Sequence, residues 1–340
     1  MPVKSTISCC VLFLSLFPRR ATTYPHSTLD YRAVSSTAKA GLGWSNGPNA
    51  NIDQYTTTGK VQWYYTWSPD GFQSDLEFVP MLWGTTQTDD WSKNINQTIK
   101  QLNVTHALGF NEPQETGQSN LSPADGASLW KQYVEPLKAQ GLQLGSPAPS
   151  SAPSGKTWIQ QWLDACDGGC TVDFIALHWY DINSTAFMEY LEDFHNTFDR
   201  PIWVTEWACQ NFNNASAQCS QQDIVDFMNA TEQFMDTTDW VERYAWFGAF
   251  SNLQGVNQDD ALMDSSGHIT TLGQQYIGAI IPNISSNYQP GVVHGGNGNT
   301  SSGGGNSGNP SIAAALLHYD ARFVSIGTVV AITAAALLTV

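Results

Sequence analysis

Two glutamates close short apolar runs far apart in the chain. Glu112 ends the stretch GFNEP, where the small and apolar residues 107–110 give way to an amide, a carboxylate and a proline, and Glu206 ends PIWVTEW. Two carboxyl groups brought to one point can divide the work of breaking a glycosidic bond. One protonates the leaving oxygen while the other attacks the anomeric carbon or activates water. Their pKa values must be pushed apart by environment, which the neighbours Pro113 and Trp207 can help arrange. Asn111, just before Glu112, is suited to hydrogen-bond a sugar 2-hydroxyl. This chemistry needs no cofactor and no metal. Glu77, Glu115 and Glu135 are expected to be ordinary solvated loop or helix-start charges.

Positioning such a pair falls to the elements that carry it. Apolar runs separated by helical periodicity predict eight strands: GLGW (41–44), VQWYYTW (61–67), LEFVPMLW (76–83), HALGFNE (106–112), LQLGSP (142–147), DFIALHWY (173–180), PIWVTEW (201–207) and RYAWFGAF (243–250). Helices are predicted at 91–102, at 123–140 with Ser122 as cap and Gly141 as stop, and at 157–165, 185–198, 221–237 and 271–281. Strands alternating with helices imply a parallel sheet. Eight of them in one uninterrupted stretch, residues 39–285, imply an α/β fold, the (β/α)8 TIM barrel, with a doubly wound open sheet as the alternative. No glycine-rich phosphate loop follows the first strand, which weakens that alternative. Barrel sites lie at the C-terminal strand ends, where Glu112 closes the fourth strand and Glu206 the seventh.

The succession GLGW, WYYTW, FVPMLWG, LGFNEP, GSPAPS, FIALHWYD, PIWVTEWA and YAWFGAF, over residues 41–250, resembles the fungal Asl1-like glycoside hydrolases of family GH128. The resemblance implies a retaining clan A barrel acting on β-1,3-glucan, with Glu112 of NEP as acid/base and Glu206 of TEW as nucleophile. Internal (endo) cleavage is the expected mode, although such motifs also serve attack from chain ends. The alternatives are a β-glucan-binding surface protein without turnover and a hydrolase of another β-glycan.

The chain holds 13 Trp, 12 Tyr and 15 Phe. Trp44, Trp67, Trp83, Trp179, Trp207 and Trp246 fall near strand ends, where indole faces could stack on sugar rings, although core packing is the competing use of each. In FIALHWY, alternation puts His178 and Tyr180 on one face and Trp179 on the other. All are candidate substrate-binding residues, and His178 is expected to bond substrate or orient Glu206. A buried structural histidine is the alternative.

The ends of the chain read as processing signals. Residues 1–23 have the early positive charge and apolar run of a secretory signal, followed by a leader at 24–38. Residues 286–310 are rich in Gly, Ser and Asn, with Asn306 among the candidate lipid-attachment sites. Residues 311–340 end in an uncharged apolar tail, the order of a GPI signal. A single membrane-spanning anchor is the alternative. Of six cysteines, Cys9 and Cys10 leave with the signal, and Cys166–Cys170 and Cys209–Cys219 are the favoured pairs of an oxidised protein. A zinc site would show tighter spacing. Sequons at Asn96, Asn103, Asn120, Asn183, Asn214, Asn229, Asn283 and Asn299 suit an extracellular surface. A net charge of −16, made more negative by loss of Lys4, Arg19 and Arg20 with the signal, disfavours nucleic acid and anionic lipid. The expected partner is a neutral β-glucan, the expected state a monomer on the cell surface or in the wall, with a lipid anchor as the sole membrane contact.

Overall fold

Strands buried on both faces belong to parallel sheets covered by helices, and Ile202–Ala208 is buried at every position. The structure is a computed structural model that describes residues 38–294. The predicted signal and GPI segments, most of the leader, Asn299 and Asn306 lie outside the described residues. Strands β1 (Ala40–Gly43), β2 (Val61–Tyr65), β3 (Glu77–Phe78), β4 (His106–Ala107), β5 (Gln143–Leu144), β6 (Ile175–Tyr180), β7 (Ile202–Ala208) and β8 (Val241–Trp246) all pair in parallel. Six run in the order β3-β2-β1-β8-β7-β6, and β4 pairs with β5. Parallel bridges Met81 to Leu108 and Gly145 to Phe174 join the two sets, so each strand meets its successor and β8 meets β1. This is the α/β barrel that the pattern predicts.

Six α-helices are found among the described residues: α1 (Thr88–Gln101), α2 (Pro123–Leu129), α3 (Pro153–Cys166), α4 (Ser184–Phe198), α5 (Gln221–Thr237) and α6 (Thr271–Tyr276). They follow β3 to β8. The β1 crossover has only a short 3-10 turn at Ile52–Tyr55, and no helix lies between β2 and β3. Local chemistry sets the helix ends. Ser122 caps α2, and Ser220 with Asp223 forms a capping box on α5. The helix predicted at 271–281 stops early. Gly278, at φ +72°, lets Ala279 N bond Gln274 O and Gly278 N bond Gln275 O, a Schellman closure.

Two cores result. Trp63, Tyr65, Val79, Met81, Phe174 and Trp203 fill the barrel interior with Leu108 and small alanines, while a larger cluster packs strands against helices. Aromatic bulk inside demands small partners. A Cβ on Gly41 would sit 2.1 Å from the Trp63 indole. Beneath the aromatics, Glu77 accepts from Arg243 at 2.7 Å and contacts His106 Nδ1 at 2.7 Å, with the Arg243 guanidinium 4.4 Å over the Trp203 ring. Glu77 is therefore an interior ion-pair residue, not the solvated charge expected. Glu135 opens the 3-10 run Glu135–Gln140, one of the two places expected for it, and there accepts from Trp130 Nε1, Thr171 N and Thr171 Oγ1, while Glu115 accepts from Ser150 Oγ.

Both expected disulfides are present, with Cα atoms 5.5 Å apart in Cys166–Cys170 and 6.0 Å in Cys209–Cys219. The polar stretch from residue 286 is not a free linker at its start. Tyr288 donates to Ser184, and His294 contacts Asp223 through both its backbone N and Nδ1. Asn96, Asn103, Asn120, Asn214 and Asn283 are exposed, whereas Asn183 and Asn229 are half-buried. Asn183 also uses its side-chain oxygen to cap α4.

Candidate active site

Glu112 lies just beyond the fourth strand, where Asn111 bridges to Ala148 and Glu112 N donates to Ala148 O at 2.7 Å. Its φ of +40° is uncommon for a residue with a side chain and is held by the turn that follows, in which Glu115 N bonds Glu112 O. Asn111 is buried and donates to Gln118 Oε1 at 3.0 Å, which leaves its own Oδ1 without a protein donor.

Glu206 is aimed by a bulge. In the β6 ladder Leu177 faces Val204 while His178 faces Glu206, and in the β8 ladder Tyr244 faces Val204 while Trp246 faces Trp207. Thr205 is thus an extra residue on β7, and Tyr65 Oη fixes it by donating to its carbonyl at 2.9 Å. A bulge re-aims the side chain beside it. Here that side chain is Glu206.

The carboxylates converge. His178 lies between them, its Nδ1 2.9 Å from Glu112 Oε1 and 3.5 Å from Glu206 Oε2, and one oxygen of each glutamate lies with that nitrogen inside 4.8 Å. His178 thus contacts both glutamates and sits closer to Glu112, whereas orientation of Glu206 was the expected role. Glu206 accepts a bond on each oxygen, from Trp67 Nε1 at 2.7 Å and Tyr180 Oη at 2.5 Å. Trp67 too has positive φ, +54°, so two unusual backbones sit at one site. A Glu/His/Glu set has the donor types of a metal centre. Both Glu206 oxygens, however, already face N–H and O–H groups, which suits a carboxylate anion better than a cation.

Burial is the largest influence on Glu206 and lifts its carboxyl above the usual range. The His178 charge and the Tyr180 and Trp67 donors pull down, while Glu112 pushes up. His178 is fully enclosed, which alone would lower it, yet the charge of Glu206 and the bond to Glu112 hold it above the ordinary imidazole value. Tyr180 is pushed well above the normal phenol range by burial and by both carboxylates. It remains a donor throughout neutral pH.

The sequence-predicted residues divide by strand face. Asn111, Glu112, Trp67, His178, Tyr180 and Glu206 come together, and half-buried Trp83 adjoins them, its carbonyl accepting from Asn111 N. Trp44, Trp207 and Trp246 are fully buried outside the barrel, with Nε1 donating to Gly47 O, Thr231 Oγ1 and Asp260 O respectively. Trp179 packs on Phe187 and Tyr190 of α4. These four do not line the mouth, because residues next to site-facing ones point the opposite way.

Three further contributors were not singled out by residue: Gln87 lies outside every quoted motif, and Phe247 and Phe250 lie within YAWFGAF. Gln87 accepts from Trp83 N and donates to Trp67 O, tying the two tryptophans together. Phe247 and Phe250 each meet the Trp67 ring edge-on at 6.0 Å. The predicted strand 243–250 ends at Trp246, and Phe247 and Phe250 lie in the turn that follows, so strand alternation does not give their direction.

Residues 41–276 match the family described as glycosyl hydrolase catalytic core. Alkali-sensitive linkage protein 1 of Schizosaccharomyces pombe is 33% identical over 249 residues, 72% of this chain. The chain spans about half the length of that curated relative, 45% of it. Among solved structures, a GH128 subgroup III curdlan-specific exo-β-1,3-glucanase from Blastomyces gilchristii is 30% identical with TM-score 0.58, covering 71% of this chain and 98% of its own. A GH128 subgroup I endo-β-1,3-glucanase from Amycolatopsis mediterranei, in complex with laminaritriose, is 28% identical with TM-score 0.60, covering 71% and 99%. With the barrel, the paired carboxylates and these likenesses in agreement, the chain belongs to the glycosyl hydrolase catalytic core family and, within it, to the Asl1-like GH128 proteins.

Proposed function

We propose that the protein is a secreted retaining hydrolase that cleaves β-1,3-glucan internally, in the cell wall. The carrying observation is the carboxylate spacing. Retaining enzymes hold their carboxyl groups about 5–5.5 Å apart and inverting ones about 6.5–9.5 Å, and the approach of Glu112 and Glu206 inside 4.8 Å favours the former. Glu112 protonates the glycosidic oxygen while Glu206 attacks the anomeric carbon, forming a glycosyl-enzyme and releasing the first product. Glu112 then takes a proton from water, which attacks the same carbon and frees Glu206. His178 holds both carboxyl groups in place through its Nδ1, and Asn111 receives the sugar 2-hydroxyl.

The β-1,3-glucan specificity rests on GH128 relatives of both endo and exo modes, and secretion rests on the signal-like residues 1–23 and the sequons. Proton NMR of the first product released from linear β-1,3-glucan tests the mechanism. The β-anomer is expected to appear first, short oligosaccharides of several sizes are expected early, and Glu206→Gln is expected to release none. The α-anomer appearing first would replace retention by inversion. Glucan bound without products would make this a lectin-like barrel.

A further inference from the structure

Among the described residues, only Phe212, Ile281 and Val292 are large apolar side chains exposed to solvent. Ile281 and Val292 lie near the end of the described chain. Phe212 stands one ring away from Glu206, against Tyr180. Its ring centroid is 5.5 Å from that of Tyr180, the donor to Glu206, and Tyr180 in turn meets Phe247 at 5.6 Å. With Trp67 and Phe250, these rings form an aromatic wall around Glu206, and Phe212 is its outer end.

Phe212 is held in the open. Its loop is closed by Cys209–Cys219, and Asn211 Oδ1 accepts from the backbone of both Asn213 and Asn214. Gln218 accepts from Asn211 N and donates to Asn211 O, bracing the loop across its middle. Asn257 donates to Cys219 O, and Cys209 N donates to Asp260, which anchors both ends on the loop after β8. The bonds brace the backbone on both sides of Phe212, whose ring is exposed. The sequence CQNFNNASAQC, residues 209–219, contains no charged residue in a chain of net charge −16. A bare phenyl face on a neutral, rigid loop suits a neutral ligand with an apolar face, and the C–H face of a pyranose has that character.

We infer that Phe212 is a substrate-contact residue that stacks on a sugar ring away from the bond being cleaved, preorganised by the disulfide-closed loop. This rests on the glucanase reading above. Phe212→Ala is expected to lower kcat/KM on laminarihexaose about three- to tenfold, the worth of one ring contact. It is expected to leave turnover of a nitrophenyl β-glucoside, too short to reach the loop, unchanged, and Phe212→Trp is expected to retain activity on both. Equal losses on the two substrates, or no loss on the hexaose, would overturn the inference. Binding of laminarihexaose separates it from the reading beneath it. In a Glu206→Gln background, Phe212→Ala is expected to weaken the Kd by the same factor whether or not the parent protein hydrolyses. An unchanged Kd overturns the stacking role, and a parent that binds but never cleaves overturns the hydrolase reading alone.

Discussion

Glu206, raised by burial and pulled down by the His178 charge, also meets one donor on each oxygen, Trp67 Nε1 and Tyr180 Oη, and the part of each donor should be separable by substitution. Removing one preorganised donor from a charged site costs about a hundredfold in rate, so Trp67→Phe and Tyr180→Phe are each expected to lower kcat by about that factor. Both donors pull the Glu206 pKa down against burial. Either loss should therefore move the acid limb of the kcat/KM profile to higher pH, since Glu206 must be ionised to attack. An unmoved acid limb would assign these residues to packing alone. The glutamates were legible because each ends a strand in a distinctive motif, and His178 and Tyr180 followed from alternation within FIALHWY. The tryptophans were not separable by type. Trp207 and Trp179 adjoin site-facing residues and so face the helices, a distinction that period two supplies only once the register is known. The bulge at Thr205, which local sequence does not announce, is what sets that register.

Order and number of strands could be read from the pattern because long apolar runs survive irregularity, but their lengths could not. The predicted runs at 76–83, 106–112 and 142–147 reduce to two-residue strands followed by single bridges. Pro80 and Pro147 lack an N–H, and Gly109 has no room for a side chain, since a Cβ there would lie 2.7 Å from Pro147 N. The helix predicted at 123–140 changes character for a similar reason. Pro136 cannot donate into the ladder, and the segment passes from α2 through a wide π turn at Trp130–Val134 to a 3-10 run at Glu135–Gln140. The disulfides give this scale its prediction. Closing a loop removes unfolded-chain entropy that grows slowly with its length, about 3 kcal/mol for the ten-residue separation of Cys209–Cys219 and about 2 kcal/mol for the four of Cys166–Cys170. Replacing each pair by alanines should lower urea-unfolding stability in that order. Only loss of Cys209–Cys219 should also weaken turnover of long glucans relative to short substrates. Identical kinetic effects from both replacements would show that the loop acts through stability and not by placing Phe212.

Across the whole molecule, buried carboxyl groups pull stability in opposite directions with pH. Burial alone would raise Glu77 at the barrel base, but the His106 bond, the Arg243 charge and the Thr105 bond outweigh it and hold the carboxyl at about 2, below its reference of 4.5. A depressed carboxyl contributes stability that is complete above the unfolded value and lost as pH falls through the folded one. Glu77 therefore protects the fold down to about pH 4.5 and fails progressively toward pH 2, a change of about 3 kcal/mol. Glu232 behaves oppositely. Burial lifts it to about 7 despite Lys60 at 2.9 Å, so its contribution is complete below about pH 4.5 and is lost as pH rises through 7. Asp260, Glu206 and His178 are also raised and add to the alkaline loss. With a chain already at −16, where further ionisation adds self-repulsion, these terms place the stability maximum near pH 5. Thermal unfolding followed from pH 2 to 9 should show Tm highest there and falling on both sides. Glu77→Gln should flatten the acid side while leaving the alkaline slope, and Glu232→Gln should do the reverse. A wild-type Tm higher at pH 8 than at pH 5 would mean that the paired surface carboxylates, not the buried ones, govern the balance.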